Sequence, residues 1–270
     1  MAGPLVAVVG AGAWGTTLAR VVARLEPVTL LSHSPETAAR IVATGRNEAR
    51  LPGIDLPATV IPTADPSALR DATALVIFAA PSAHLRTTVE AVEPFLARET
   101  DLLSVVKGLE RGTLLRMSEV IADAAGVSIA RIAALSGPNL AAEVARNLPT
   151  SAVVAAADLD LAERVAARVA RRRFRLYVNE DILGVELCGA LKNVIAIAAG
   201  AADGLGFGDN GKAGLLTRGL AEMTRLGVAL GAEQSTFAGL AGLGDLVLTC
   251  TGSFAFIDLP PRVAPVTSAH

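Results

Sequence analysis

The chain has 270 residues, the length of one large domain or two modest ones at roughly 150 residues each. Hydrophobic residues make up 52% and charged residues 19%, which excludes a disordered or solvating chain. Balanced charge, 24 Lys+Arg against 26 Asp+Glu, argues against a basic surface built for nucleic acid.

Mean hydropathy is +0.50, yet the uncharged stretch 72–85 contains Pro81 and His84 and is shorter than the ~18–20 apolar residues of a spanning helix. No transmembrane segment is expected. The opening Met-Ala-Gly-Pro lacks a positively charged region followed by an apolar one, so no signal peptide is expected and the cytoplasm is the expected compartment. Cys188 and Cys250 show no ligand spacing and read as buried thiols, with no metal site. The run Arg171-Arg172-Arg173 reads as solvent-facing.

In chain order, residues 5–9 form an apolar run that reads as a buried strand, and residues 13–25 have helical spacing. Strands follow at 28–31, 75–79, 102–106 and 132–135, each trailed by turn signals and a helical stretch. Two more are expected at 151–156 and 174–178. Alternation every 25 or so residues predicts an α/β, Rossmann-type doubly wound sheet over residues 1–178. From 182 to 248 the pattern turns helical, with Asp181 capping a helix through Ala201, a glycine-rich break at 204–211 and a helix over 215–230. This predicts an all-helical second domain, incomplete, over 179–252. Residues 253–270 have no period and read as an irregular tail.

Gly10-Ala-Gly12-Ala13-Trp14-Gly15 is a G-x-G-x-x-G that follows a strand and opens a helix, the context dinucleotide binding requires. Gly10 allows the tight turn, Gly12 the approach of a pyrophosphate and Gly15 close helix packing. The second strand runs into Ser32-His33-Ser34, with no acid before Glu36. Ser and His can donate to a 2′-phosphate that a carboxylate would repel, so NADPH is favoured, with dual NAD and NADP use the alternative and an ordinary surface histidine the plain one.

Lys107 stands at a strand's carboxyl end, where open α/β sheets bind ligands. It serves a phosphate or a substrate oxygen, or is a solvated loop lysine. Lys192 interrupts an apolar helix, and a buried lysine titrates nearer neutrality, which suits a proton donor and acceptor. The alternative is a snorkelling side chain. Asp245 is equally isolated among apolar residues, so a Lys192–Asp245 pair is expected.

Together these segments resemble the bacterial type of NAD(P)-dependent glycerol-3-phosphate dehydrogenase. The resemblance is carried by GAGAWGTTLA at residues 10–19, Asn47-Glu48 with Leu51-Pro52, Ala80-Pro81-Ser82, Lys107-Gly-Leu-Glu110 and Ser136-Gly-Pro-Asn139. It continues through 186–200, 203–208, 216–225 and 239–250. It implies hydride transfer between NAD(P)H and dihydroxyacetone phosphate, giving sn-glycerol 3-phosphate for glycerophospholipid synthesis. It further implies that Lys192 is the acid–base group and that Asp245 orients it. Lys107, Gly137, Asn139, Asn193 and Thr249 match substrate-site positions. Trp14, His33, Lys107 and Ala141 match cofactor positions, beside Gly10, Gly12, Ala13, Gly15 and Ser34 of the two strand ends. A homodimer is the expected assembly.

After Thr249-Cys-Thr-Gly252 the family continues with a Ser-Arg-Asn-Arg-type stretch and further helices. Here the chain reads Ser253-Phe-Ala-Phe-Ile-Asp-Leu-Pro-Pro261. The expectation is a truncated or frameshifted reading frame that lacks the arginine and asparagine for substrate phosphate and cofactor. A catalytically impaired NADP-binding remnant is then the second reading, and a related β-hydroxyacid or ketopantoate-type dehydrogenase the third.

Overall fold

An apolar run without alternation suits a strand covered on both faces, and residues 6–9 take that place at the centre of a sheet. The computed structural model describes residues 5–251. Its first part contains β1 (Val6–Val9), α1 (Ala13–Val22), β2 (Val28–Leu31), α2 (Pro35–Thr44), β3 (Val60–Thr63), β4 (Leu75–Phe78) and α3 (Leu85–Val92). There follow β5 (Asp101–Ser104), α4 (Met117–Ala125), β6 (Ile132–Ser136), α5 (Ala141–Ala145), β7 (Thr150–Ala155), α6 (Leu159–Val169) and β8 (Phe174–Asn179). Helices α7 (Ile182–Gly204), α8 (Gly208–Ala229), α9 (Gln234–Ala238) and α10 (Asp245–Thr251) come next, with a π-helical turn, Leu240–Gly244, before the last.

The strands form one sheet in the order β3-β2-β1-β4-β5-β6-β7-β8. Pairing is parallel except at β6–β7, where β7 runs antiparallel before β8 resumes parallel pairing with it. Strand order reverses beside β1, which pairs with both β2 and β4. Such a switch point opens a crevice at the strands' carboxyl ends. Val6 and Val8 face a core shared with α1 and α6, and Ala7 and Val9 face one shared with α3 and α4. The sheet is therefore doubly wound, as its alternation predicts.

A third core joins Ala134 and Val153 of the sheet to Val185 and Cys188 of α7 and to Met223, Phe237 and Leu246 beyond it. Asp181 caps α7, accepting from the Gly184 amide at 2.7 Å. The same carboxylate accepts from the Glu233 amide and the Thr236 hydroxyl at 2.9 and 2.6 Å, which seats α9 on the start of α7. Glu186, one turn on, accepts from the Ser118 amide and hydroxyl and from Arg116, at 2.6–2.8 Å. This pins the start of α4 to α7, and burial raises the Glu186 carboxyl above its ordinary value.

Several expectations need correction. The first helix ends at Val22 rather than 25. The glycine-rich break shrinks to residues 205–207, because α8 starts at Gly208 and not at 215. Arg171 does not face solvent: its guanidinium donates to the Val21 and Val22 carbonyls in the last turn of α1, both at 3.0 Å. By length and composition α7 is long and apolar enough to cross a membrane, with mean hydropathy 1.7, a candidate the uncharged stretch 72–85 did not reveal. Here half of that stretch is buried in protein, and its buried Glu186 and Lys192 carry ionic partners. The expected irregular tail, 253–270, lies outside the described residues.

Candidate active site

The glycine loop sits in the crevice between β1 and β4. Gly10 has φ +116°, and a Cβ there would stand 2.8–2.9 Å from the Ala79–Ala80 backbone, so only glycine makes this turn. A Cβ on Gly15 would strike the Gly10 carbonyl. Above Gly12, by contrast, nothing lies within 4 Å. Gly12 is also the N-cap of α1, which has no side-chain cap and no acid in its first turn. Open amides beside open space at Ala13 and Trp14 fit a pyrophosphate, which the helix end would hold. Asn47, only 3% exposed, supports the loop from behind, donating to the Ala11 carbonyl at 2.9 Å and the Thr16 hydroxyl at 2.8 Å.

At the end of β2 His33 is exposed. Ser34 is spent locally: its hydroxyl caps α2 through the Thr37 amide at 3.1 Å and donates to Glu36 at 2.7 Å. That hydrogen bond holds the Glu36 carboxyl below its ordinary value. An acid therefore does stand beside this strand end, folded back from the first turn of α2. The sequence spacing alone had placed it too far along.

The densest charge chemistry lies where the sheet meets α7 and α10. Lys192 donates to Asp245 Oδ1 at 2.6 Å and to the Thr249 hydroxyl at 2.9 Å. Thr249 in turn donates to the Asp245 carbonyl at 2.7 Å. The expected pair is present, with Asp245 2% and Lys192 6% exposed. Lys107 completes it from the end of β5, donating to Asp245 Oδ2 at 2.6 Å and to the Gly137 carbonyl at 3.2 Å. Burial lowers the Lys107 pKa from 10.5 to about 8, against the opposing pull of Asp245 and aided by the nearby Lys192 charge. The loop carrying Lys107 is anchored three residues on, where Arg86 donates to both Glu110 oxygens at 2.8 and 3.0 Å. This pair and the Thr113 hydroxyl hold the Glu110 carboxyl down at about 2.

Gly137, at φ +140°, follows β6 and packs on Ala152, so its carbonyl turns toward Lys107. Asn139 Nδ2 is buried without a partner among the described residues, as is the Ser136 hydroxyl. Unpaired buried donors are rare in folded proteins, and these two mark ground for a polar ligand beside Lys107. Ala141 opens α5, where its carbonyl accepts from Thr17 of α1 at 3.1 Å. Asn193 follows Lys192 but is exposed and makes no side-chain hydrogen bond among the described residues. Cys188 and Cys250 are both free and buried, and burial pushes the Cys188 thiol up to about 12. Sequence reasoning missed Ser136 and the roles of Asn47 and Glu186. All three stand inside strings that carried the resemblance, yet nothing in their spacing points to a contact.

Two sequence profiles match the chain: the N-terminus of NAD-dependent glycerol-3-phosphate dehydrogenase over residues 5–162, and the C-terminus of the same enzyme over residues 181–255. The glycerol-3-phosphate dehydrogenase [NAD(P)+] of Moorella thermoacetica is 49% identical over 252 residues, covering 93% of this chain and 74% of that protein. That of Corynebacterium aurimucosum is 50% identical, covering 93% and 76%. The crystal structure of glycerol-3-phosphate dehydrogenase from Coxiella burnetii superposes with a TM-score of 0.86 at 41% identity, over 92% of this chain and 76% of that one. A ketopantoate reductase from Ralstonia eutropha, at 22% identity and a TM-score of 0.51, shares the fold alone. The match across both halves of the chain settles the assignment: it belongs to the NAD-dependent glycerol-3-phosphate dehydrogenase family, whose members are oxidoreductases.

Proposed function

We propose that this chain interconverts dihydroxyacetone phosphate and sn-glycerol 3-phosphate, supplying the glycerol backbone of glycerophospholipids. The observation that carries this reading is one buried carboxylate, Asp245, gripping two lysines from different parts of the fold. Two ammonium groups on one carboxylate leave a net positive charge, which suits an anionic phosphoester and a developing alkoxide.

When bound, NAD(P)H would supply the hydride for the carbonyl carbon, and the open amides of α1 beside Gly12, with Trp14, His33 and Ala141, would hold it. Lys192 spends two donors on Asp245 and Thr249, and its remaining N–H faces the substrate oxygen. It gives its proton there as the carbon is reduced and takes it back in the reverse direction. Asp245 fixes the direction of that proton. Lys107 uses its free donor on the substrate, while Asn139, Gly137, Asn193 and Thr249 line the remainder of the pocket. Residues 1–178 act as the cofactor unit and 179–252 as the substrate unit.

Both NADH and NADPH are accepted in this reading, because His33 favours a 2′-phosphate and Glu36 opposes it. The reduced, buried cysteines favour the cytoplasm. A second copy of the chain is the partner that fits the exposed apolar residues Val194, Ile197 and Phe207 on and after α7, and light scattering on the purified protein tests for it. The reaction itself is tested by incubating the chain with dihydroxyacetone phosphate and NADH or NADPH and following nicotinamide oxidation. Turnover that Lys192→Met abolishes supports the proposal. No turnover, with Trp14 fluorescence still responding to NADPH, replaces it with the impaired NADP-binding remnant.

A further inference from the structure

The arginine run that leads into β8 divides its labour. Arg171 turns inward to the carbonyls of α1, while Arg172 and Arg173 are exposed, as is Arg175 two residues on. Some other exposed arginines pair with acids, Arg46 with Asp55, Arg164 with Asp101 and Arg225 with Glu222, while others such as Arg98, Arg111 and Arg218 stand singly with no ion pair among the described residues. Arg172, Arg173 and Arg175 make no ion pair and donate no side-chain hydrogen bond among the described residues. They line one cavity of about 500 Å³ together with Pro149, Thr150 and Ser151. Arg172 and Arg175 are shared with an adjoining hollow of about 410 Å³ reached by Tyr177.

Three guanidinium groups gathered on a concavity, in a chain of net charge −2, repel one another unless an anion joins them. Arginine forks match the oxygen geometry of phosphate, and the Ser151 hydroxyl supplies a neutral donor, while that of Thr150 is spent on the Leu148 carbonyl at 3.2 Å. We propose that this cavity is a second site, separate from the Lys107–Asp245–Lys192 centre, for a phosphate-bearing anion.

The hairpin carrying the site is wired to the cofactor loop. Arg171 and Phe174 exchange backbone hydrogen bonds at 2.8 and 2.9 Å. Phe174 then meets Trp14 edge to face, with ring centroids 6.1 Å apart. Through Arg171 and Phe174 the hairpin thus grips both the last and the first turn of α1. An anion ordering Arg173 and Arg175 acts directly on the neighbours of Trp14, the chain's single tryptophan.

The test keeps the dinucleotide site filled with saturating NADP+, so that a polyphosphate probe does not bind there. Sodium tripolyphosphate is titrated by calorimetry while Trp14 emission is followed. A parallel flotation assay uses phosphatidylcholine vesicles with and without phosphatidylglycerol. The expected result is saturable binding with a shift in Trp14 emission, weakened at least about tenfold in the triple variant Arg172→Gln, Arg173→Gln, Arg175→Gln. That variant, altered only at exposed side chains, keeps the wild-type melting temperature and NADP+ affinity. Flotation with the anionic vesicles alone, lost in the same variant, identifies a lipid headgroup as the source of the phosphate. Absence of binding to both probes overturns the proposal, as does a triple variant that binds like wild type. Binding that leaves Trp14 emission unchanged overturns the link to the cofactor loop.

Discussion

Lys107 and Lys192 meet on one carboxylate, each 2.6 Å from a different oxygen of Asp245. One lysine comes from the end of a central strand and the other from the middle of the long helix α7. Neither lysine has another acid within ion-pair distance among the described residues, so the charge of the whole cluster turns on Asp245.

Asp245→Asn leaves two buried or half-buried ammonium groups side by side. Breaking a buried ion pair by removing one partner costs about 3–5 kcal/mol, and the melting temperature falls accordingly. Without its orienting partner the acid–base group loses on the order of 10²–10⁴ in rate. Steady-state kinetics and thermal unfolding of D245N read both effects, and a wild-type kcat/KM would remove this carboxylate from the mechanism.

The lowered pKa of Lys107, about 8 against 10.5, sets a pH window with a definite sign. Below pH 8 the group is charged in the folded and the unfolded chain alike, and its burial cost is fully present. Between about 8 and 10.5 the unfolded chain binds more proton, so this group's contribution to stability improves as pH rises. Function runs the other way, since reduction needs the ammonium form to bind substrate. kcat/KM for dihydroxyacetone phosphate falls as pH rises through about 8, and Lys107→Arg moves that limb upward because arginine stays charged. A pH profile unchanged by K107R sinks the assignment.

Glu36 is hydrogen-bonded to Ser34 beside the end of β2, and in the proposed reading its charge opposes a 2′-phosphate. Glu36→Gln removes the charge while keeping an acceptor for that hydroxyl. The expected outcome is a higher ratio of kcat/KM for NADPH over NADH, by severalfold, with turnover number held. Equal ratios in the two proteins would show that the 2′ position is read elsewhere.

Asn47→Ala strips the glycine loop of two buried hydrogen bonds. Leaving a buried carbonyl unpaired costs about 1–3 kcal/mol. NAD(P)H affinity drops by about tenfold or more, while kcat changes little, because the lysine pair is untouched. Fluorescence titration and kinetics separate the two, and a fall in kcat without one in affinity would contradict the role.

Much of the fold is written in local pattern. The bounds of β2 are those the apolar run predicts, and Asp181 caps α7 where expected. Strand β3 was missed because Pro62 interrupts it. It survives as the sheet's edge, where a residue without an amide hydrogen is tolerated. The early start of α8 runs against propensity through Gly208, Gly211 and Gly214, and further along only Gly219 lies against α7, where a Cβ would collide with Ile195 at 2.7 Å. Lys192 and Asp245 were legible as charges stranded among apolar neighbours. That Lys107 joins them was not, because the bond closes across 138 residues. The inward turn of Arg171 was equally hidden, since it depends on the last-turn carbonyls of a helix some 150 residues away.

That same separation orders events during synthesis. A chain made from its N-terminus completes the glycine loop, Asn47 and the central strands long before Asp245 leaves the ribosome, and domains generally fold as they emerge. In the proposed reading, the dinucleotide loop is therefore complete in the nascent chain while the lysines still lack their common counterion. On that reading the cofactor unit matures before the charge cluster, whose two lysines wait for one late carboxylate.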